Sequence, residues 1–318
     1  MNKDIFIKEI KGHASGQEIK TIVAVFSQSQ GKTVRGTTYL NLELGDRTGR
    51  INAKLWDATE SSAADLIEGS VVFIHARLES YKGQPQLNIL EATPLTQEQY
   101  KEEDFFRTSA VPVSTMKAQL QELIDSIEDP HLRRLVGAAL SDPRSELFFS
   151  LPAAKTIHHA YFGGLLEHSL SVARQCAFFA ELYGPILRRD LLLAGAILHD
   201  LGKCFELSKA PTTQYTNQGR LLGHIAMGPI FLEKIASTIK GFPDEKLLLL
   251  QHLMLAHHGE LEKGSPVTPK LLEAVVLHYA DELDARISTI ENFIQTSADG
   301  RDGPWTNYNN KLGSHFMA

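Results

Sequence analysis

The sequence predicts two domains, a small β-barrel followed by an all-α domain. Three observations lead there. Residues 18–93 alternate apolar and polar side chains with period two, broken by glycine-containing turns. From Ser114 onward the apolar period becomes helical. Between them, residues 96–113 are polar and acidic and lie between Pro94 and Pro112, as a linker would. A chain of 318 residues has room for two cores.

The first strand covers residues 19–26, which are rich in β-branched side chains. Residues 39–44 and 50–56 alternate strictly around the turn at 45–49 and read as a hairpin. A short helix is expected over 58–67, then strands over 71–78 and 86–90 joined by the turn at 81–84. Five strands with one small helix between the third and fourth specify an OB-fold barrel over residues 1–95. In the hairpin, Leu40, Leu42 and Leu44 face one way, as do Ile51, Ala53 and Leu55. The other face presents Tyr39, Arg50, Asn52, Lys54 and Trp56, the candidate nucleic-acid contacts. Aromatic rings can stack bases and cations can meet phosphates there. An ordinary wet barrel face, or a docking surface, is the alternative, since residues 1–95 carry as many acidic as basic side chains.

The second domain, residues 114–318, reads as helices over 116–127, capped by Ser114, then 131–140 and 165–182. Asp190 can cap an apolar helix over 191–198. Helices over 222–239 and 245–257 follow, and a long one runs from Pro269 to about 294. The tail at 303–316 is aromatic without periodicity; it can cover a site, stack a base or pack on a neighbouring element.

Candidate chemistry lies in the polar residues of these apolar helices. The helix over 191–198 is apolar nearly all round and ends in His199-Asp200. A carboxylate at the end of a buried helix requires a partner or a metal. His168, His224, His257 and Asp281 each fall in or at the end of another helix. A single helix histidine is ordinarily a surface or hydrogen-bonded residue. A set that recurs in five elements, in order, points instead to a metal site. Imidazole and carboxylate suit borderline or hard divalent ions.

These residues resemble the HD superfamily of metal-dependent phosphohydrolases. The matching pieces are 163–168, His199-Asp200-Leu201-Gly202-Lys203, Gly223-His224, His257-His258-Gly259-Glu260 and 280–285. The order of the domains resembles the bacterial 3′-to-5′ exoribonucleases typified by YhaM. The resemblance implies an all-α HD domain and a pair of divalent ions, manganese first among the choices, with magnesium or iron as others. His168, His199, Asp200 and Asp281 would hold one ion, and Asp200, His224 and His257 the other, with Asp200 as the bridge. Lys203 is assigned to a phosphate oxygen, its alternative being a solvated cation at a helix end. His258 and Asp284 are expected to orient ligands. His258 follows His257 by about 100° on a helix, so one of the two is expected as the direct ligand. His158, His159 and His278 are left as structural or rim residues.

The expected activity is 3′-to-5′ hydrolysis of single-stranded RNA, with DNA as a second substrate. The alternative is hydrolysis of a small nucleotide or cyclic dinucleotide. The segment after His257-His258-Gly259-Glu260 lacks the Gly-Tyr-Pro of the cyclic-di-GMP hydrolases. A strand-binding module without hydrolysis and a di-iron oxygenase are more distant readings.

Composition narrows the setting. A net charge of −6 excludes a chain that is basic throughout, so nucleic acid must meet a local patch or the metals. Cys176 and Cys204 form no Cys-x-x-Cys pair and read as small apolar fillers. The N-terminus has no signal-peptide run. The most apolar stretch, 190–199, is far below the roughly 20 residues of a membrane span. The expectation is therefore a cytoplasmic protein without a membrane partner, with homo-oligomerisation open.

Overall fold

A computed structural model describes residues 3–105, 108–153, 159, 161–208, 213–297 and 303–317. The chain forms two compact units: Met1–Thr108 with Ser208–Gln214, and Ser109–Leu207 with Tyr215–Ala318.

In the first unit, helix α1 (Ile7–Ile10) precedes strand β1 (Glu18–Lys32). Strands β2 (Thr38–Asp46) and β3 (Gly49–Leu55) follow, then helix α2 (Glu60–Asp65) and strands β4 (Val71–Tyr81) and β5 (Gln84–Pro94). They close into a barrel in the order β1-β2-β3-β5-β4, with β3 and β5 parallel. This is the expected OB-fold. The hairpin register pairs Leu42 with Ala53 and Leu44 with Ile51, so the two alternating sets share the lumen. Leu40, Leu42, Leu44, Ile51 and Ala53 are all buried there, with Ile7 and Ile10 of α1 in the same core. The β2–β3 turn is held by Asp46, whose Oδ1 accepts from Thr48 N at 2.8 Å and whose Oδ2 lies 3.0 Å from Lys3 Nζ.

The barrel unit runs past the expected boundary at residue 95. In β1, residues Ile22, Val23, Ala24 and Val25 are all buried, so both faces of the strand need cover. Phe105 supplies it on the outer face, packing with Ile22, Ala24 and Val71. Asp104 O accepts from Arg47 N at 3.0 Å. Most of the segment read as a linker is therefore docked, with 3₁₀ turns at Gln97–Gln99 and Glu102–Asp104.

The second unit contains α3 (Val113–Asp125), α4 (Pro130–Ser141), α5 (Gly164–Tyr183), α6 (Arg189–Leu198) and α7 (Lys203–Glu206). It continues with α8 (Asn217–Ser237), α9 (Asp244–Ala256) and α10 (Leu272–Thr296). Helix α6 lies at the centre, packed by α5, α9 and α10, and Leu191 to Leu198 are all buried. Several ends differ from expectation. Ser114 sits inside α3, behind Pro112 at the cap position. Asp190 lies in the first turn of α6 and accepts from Asp129 N at 2.7 Å instead of capping its own helix. Helix α10 begins at Leu272, three residues after Pro269. In the tail, Phe316 packs near Phe293 of α10, with ring centroids 6.3 Å apart. Among the described residues, no helix is long and apolar enough to cross a membrane.

Candidate metal centre and nucleic-acid face

Two local devices bring the donors of the second unit together. Helix α6 delivers His199 and Asp200 at its end, with Gly202 in the turn that follows. A side chain at Gly202 would meet His224 O at 2.1 Å, so only glycine lets this turn approach α8 so closely. Within α8, Gly223 has φ 70° and ψ 157°, a left-handed break that restarts the helix at His224.

The first donor set is His168, His199, Asp200 and Asp281. His168 Nε2 lies 3.2 Å from His199 Nε2, 3.1 Å from Asp281 Oδ1 and 3.6 Å from Asp200 Oδ2. His199 Nε2 is 3.4 Å from Asp200 Oδ2 and 3.9 Å from Asp281 Oδ1. The second set gathers on the other carboxylate oxygen. Asp200 Oδ1 is 3.5 Å from His224 Nε2 and 3.8 Å from His257 Nε2. Asp200 thus faces both sets, one oxygen to each.

The hydrogen bonds behind the rings decide which nitrogen faces inward. His199 Nδ1 donates to Ala196 O at 2.8 Å and His257 Nδ1 to Met254 O at 2.7 Å. His168 Nδ1 donates to Asp284 Oδ2 at 2.7 Å. His224 Nδ1 lies 3.1 Å from both oxygens of Glu206. Each Nδ1 is thereby committed as a donor, which leaves each Nε2 to face the centre.

This arrangement fits a metal. Asp200 Oδ1, His224 Nε2 and His257 Nε2 are buried and lack a hydrogen-bond partner among the described residues. Buried polar atoms are rarely left in that condition. Ligands at about 2.0–2.2 Å from an ion stand about 3–3.5 Å from each other, close to the separations found here. The protonation of Asp200 and His257 agrees with this. Burial works against an ionised Asp200, but Lys203, His199 and His224 hold its carboxyl well below the usual range. Burial and His199 push His257 well below its usual value, leaving the neutral imidazole a metal needs. His168 is the exception: burial opposes its charge, yet Asp281 and Asp284 raise it to about 9, so an ion there would have to displace a proton from the ring.

All six expected ligands therefore meet around Asp200. His258 lies close to them. Helix α9 ends at Ala256, so His257 and His258 lie in the turn beyond it, with ring centroids 4.3 Å apart. His224, His257 and His258 together can offer donor atoms within 4.8 Å of one another. Lys203 Nζ sits 2.6 Å from Asp200 Oδ2.

The residues that support the ligands had weaker sequence signals or none. Asp284, expected as an orienting group, accepts from His168, from His159 Nε2 at 3.0 Å and from the Ser171 hydroxyl. Its carboxyl is held low despite burial by His159 and His168. His278 Nδ1 donates to His257 O at 2.9 Å and so fixes the turn. Glu206 was missed; it lies six residues past Asp200, at the end of the four-residue α7. His158 lies outside the described residues.

On the barrel, Tyr39 and Trp56 rings lie 5.2 Å apart with Lys54 Nζ 4.8 Å and 4.7 Å from them. Tyr81, half exposed at the end of β4, lies 5.7 Å from the same ammonium and extends the cluster. Asn52 is exposed on β3, the strand that carries Lys54. Arg50 is engaged within the barrel, with its guanidinium 3.3 Å from the Phe26 ring and its Nη1 donating to Asp46 O at 3.0 Å.

Comparison with known proteins gives the same two parts. An HD domain model matches residues 165–286, and a model of OB-fold nucleic acid binding domains matches residues 21–95. A third model, TraI_2, covers residues 108–183. A protein of Bacillus subtilis named 3′-5′ exoribonuclease YhaM is 36% identical over 294 residues, covering 92% of this chain and 93% of its own. A protein of the same name from Shouchella clausii is 36% identical, covering 92% of this chain and 91% of its own. One from Listeria welshimeri is 34% identical, covering 90% of each chain. With near-complete alignment and both domains matched, this chain belongs to the YhaM family of 3′-5′ exoribonucleases.

Proposed function

We propose that this protein is a metal-dependent 3′-5′ exonuclease that hydrolyses phosphodiester bonds of single-stranded RNA, with DNA as a second substrate. The reading rests above all on the three buried, unpartnered donors of Asp200, His224 and His257, aimed at one point beside a second complete donor set. Direction of attack and preference for RNA come from the names of the relatives.

His168, His199, Asp200 and Asp281 would hold one divalent ion, and Asp200, His224 and His257 the other, with His258 near enough to join. Such ions supply Lewis acidity, acidifying water and neutralising phosphate oxygens. The nitrogen and oxygen donors support manganese as the first ion to test. The chain's own contribution is to fix the imidazole tautomers and to keep Asp200 ionised between the sets. Lys203 contributes a fixed positive charge beside Asp200, where a phosphate oxygen would otherwise meet only carboxylates. On the barrel, Tyr39, Trp56 and Lys54 hold bases and phosphate of the strand, each stacked base contributing about 1–3 kcal/mol. RNA as substrate and the lack of a spanning helix among the described residues support action in the cytoplasm.

The test is incubation with manganese and 5′-labelled single-stranded oligomers. A ladder shortening from the 3′ end is expected. Intact oligomers across several sequences and metals would sink the proposal.

A further inference from the structure

We propose that Glu206 is the positioning residue that determines whether the second ion, beside His224, is held. The inference rests on the two-ion reading and goes beyond it, because it assigns the hold on one of the two positions to one carboxylate.

The rings of the centre have two kinds of support. His199, His257 and His258 are backed by the neutral carbonyls of Ala196, Met254 and Lys263. Among the described residues, His168 and His224 are instead backed by carboxylates, Asp284 and Glu206 respectively. One lies in each donor set. A carboxylate behind an imidazole fixes its tautomer and makes the opposite nitrogen a stronger donor, which a carbonyl does less well. Asp284 shares its charge with His159 and Ser171. Among the contacts described, Glu206 directs both oxygens at a single residue.

That residue is held twice. Glu206 Oε1 accepts from His224 Nδ1 at 3.1 Å and from His224 N at 3.1 Å. The backbone contact falls where α8 restarts after Gly223, at an N–H that a helix start leaves to an outside acceptor. Glu206 is itself fixed, since its carbonyl accepts from Thr216 N at 2.9 Å. The result is a stiff lever: α7 holds the carboxylate, the carboxylate holds the ring, and the free Nε2 points at Asp200 Oδ1.

The experiment titrates manganese into metal-free protein and reads stoichiometry, affinity and the spin-resonance signal, with a melting curve of each metal-free chain. Wild type is expected to take two ions and to show a spin-coupled pair. Glu206→Gln keeps the shape and removes the charge. It should keep the first ion at wild-type affinity and lose about 10–100-fold at the second. Its spectrum at limiting manganese should be that of an isolated ion. Glu206→Asp retains charge at shorter reach and should fall between the two. Two ions bound by Glu206→Gln as tightly as by wild type would overturn the inference and leave the two-ion reading standing. Equal weakening of both ions would overturn it as well. Fewer than two ions in wild type would overturn the two-ion reading itself, and the inference with it.

Discussion

Asp200 faces His168 and His199 with one oxygen and His224 and His257 with the other, so no other carboxylate in the centre can replace it. Asp200→Ala should therefore remove the link between the sets. Several kcal/mol of lost stabilisation corresponds to roughly 10³-fold in rate. Single-turnover hydrolysis should show that loss while circular dichroism shows retained helix; activity within a few-fold of wild type would contradict the assignment. Trp56 belongs to the other unit. Its ring is 43% exposed and shares Lys54 with Tyr39. Trp56→Ala should weaken binding of long single strands by about 5–100-fold, the equivalent of one stacked base. Hydrolysis of a dinucleotide should change little. Parallel loss in both assays would mean that Trp56 supports the fold and not the strand.

At the scale of elements, the centre depends on how close a turn can come to a helix. The 200–203 turn and α8 approach until a Cβ at Gly202 would lie 2.1 Å from His224 O and 2.9 Å from Gly228 N. Both obstacles are backbone, so neither can swing aside. Gly202→Ala should force the turn away from α8, destabilising the second unit by about 1–3 kcal/mol. It should separate Asp200 from His224 as well, so manganese affinity should fall together with the melting temperature. A variant that binds two ions normally would show that the turn can relax without moving the ligands.

For the whole molecule, two separate cores have a thermodynamic consequence. The barrel closes around Leu40, Leu44, Ile74 and Leu87, and the helical unit around Leu165, Leu192, Leu198 and Leu253. All the candidate ligands belong to the second unit. An ion that binds only the folded state at 100 times its Kd stabilises by about 2.7 kcal/mol. For a unit of this size that raises its transition by about 5–10 °C. Calorimetry with manganese and with a chelator should show a shift in the helical unit's transition, while the barrel's transition stays in place. Equal shifts in both would point to ligands shared by both units.

The sequence by itself determined the two cores and named the side chains that the fold gathers around Asp200. Alternation at Leu40–Leu42–Leu44 and Ile51–Ala53 is enough to define a lumen, because period two assigns each side chain a face. His199-Asp200 was legible because it ends a helix apolar on nearly every side, where an unsupported charge is not tolerated. What only the tertiary structure decided is contact between residues far apart in the chain. Phe105 covers the outer face of β1, and a polar segment gives no period that would reveal it. Glu206 reaches His224 and Asp284 reaches His159 across gaps that follow no local spacing rule. Local periodicity records which way a side chain points, whereas the partner it meets is fixed only when the chain folds back on itself.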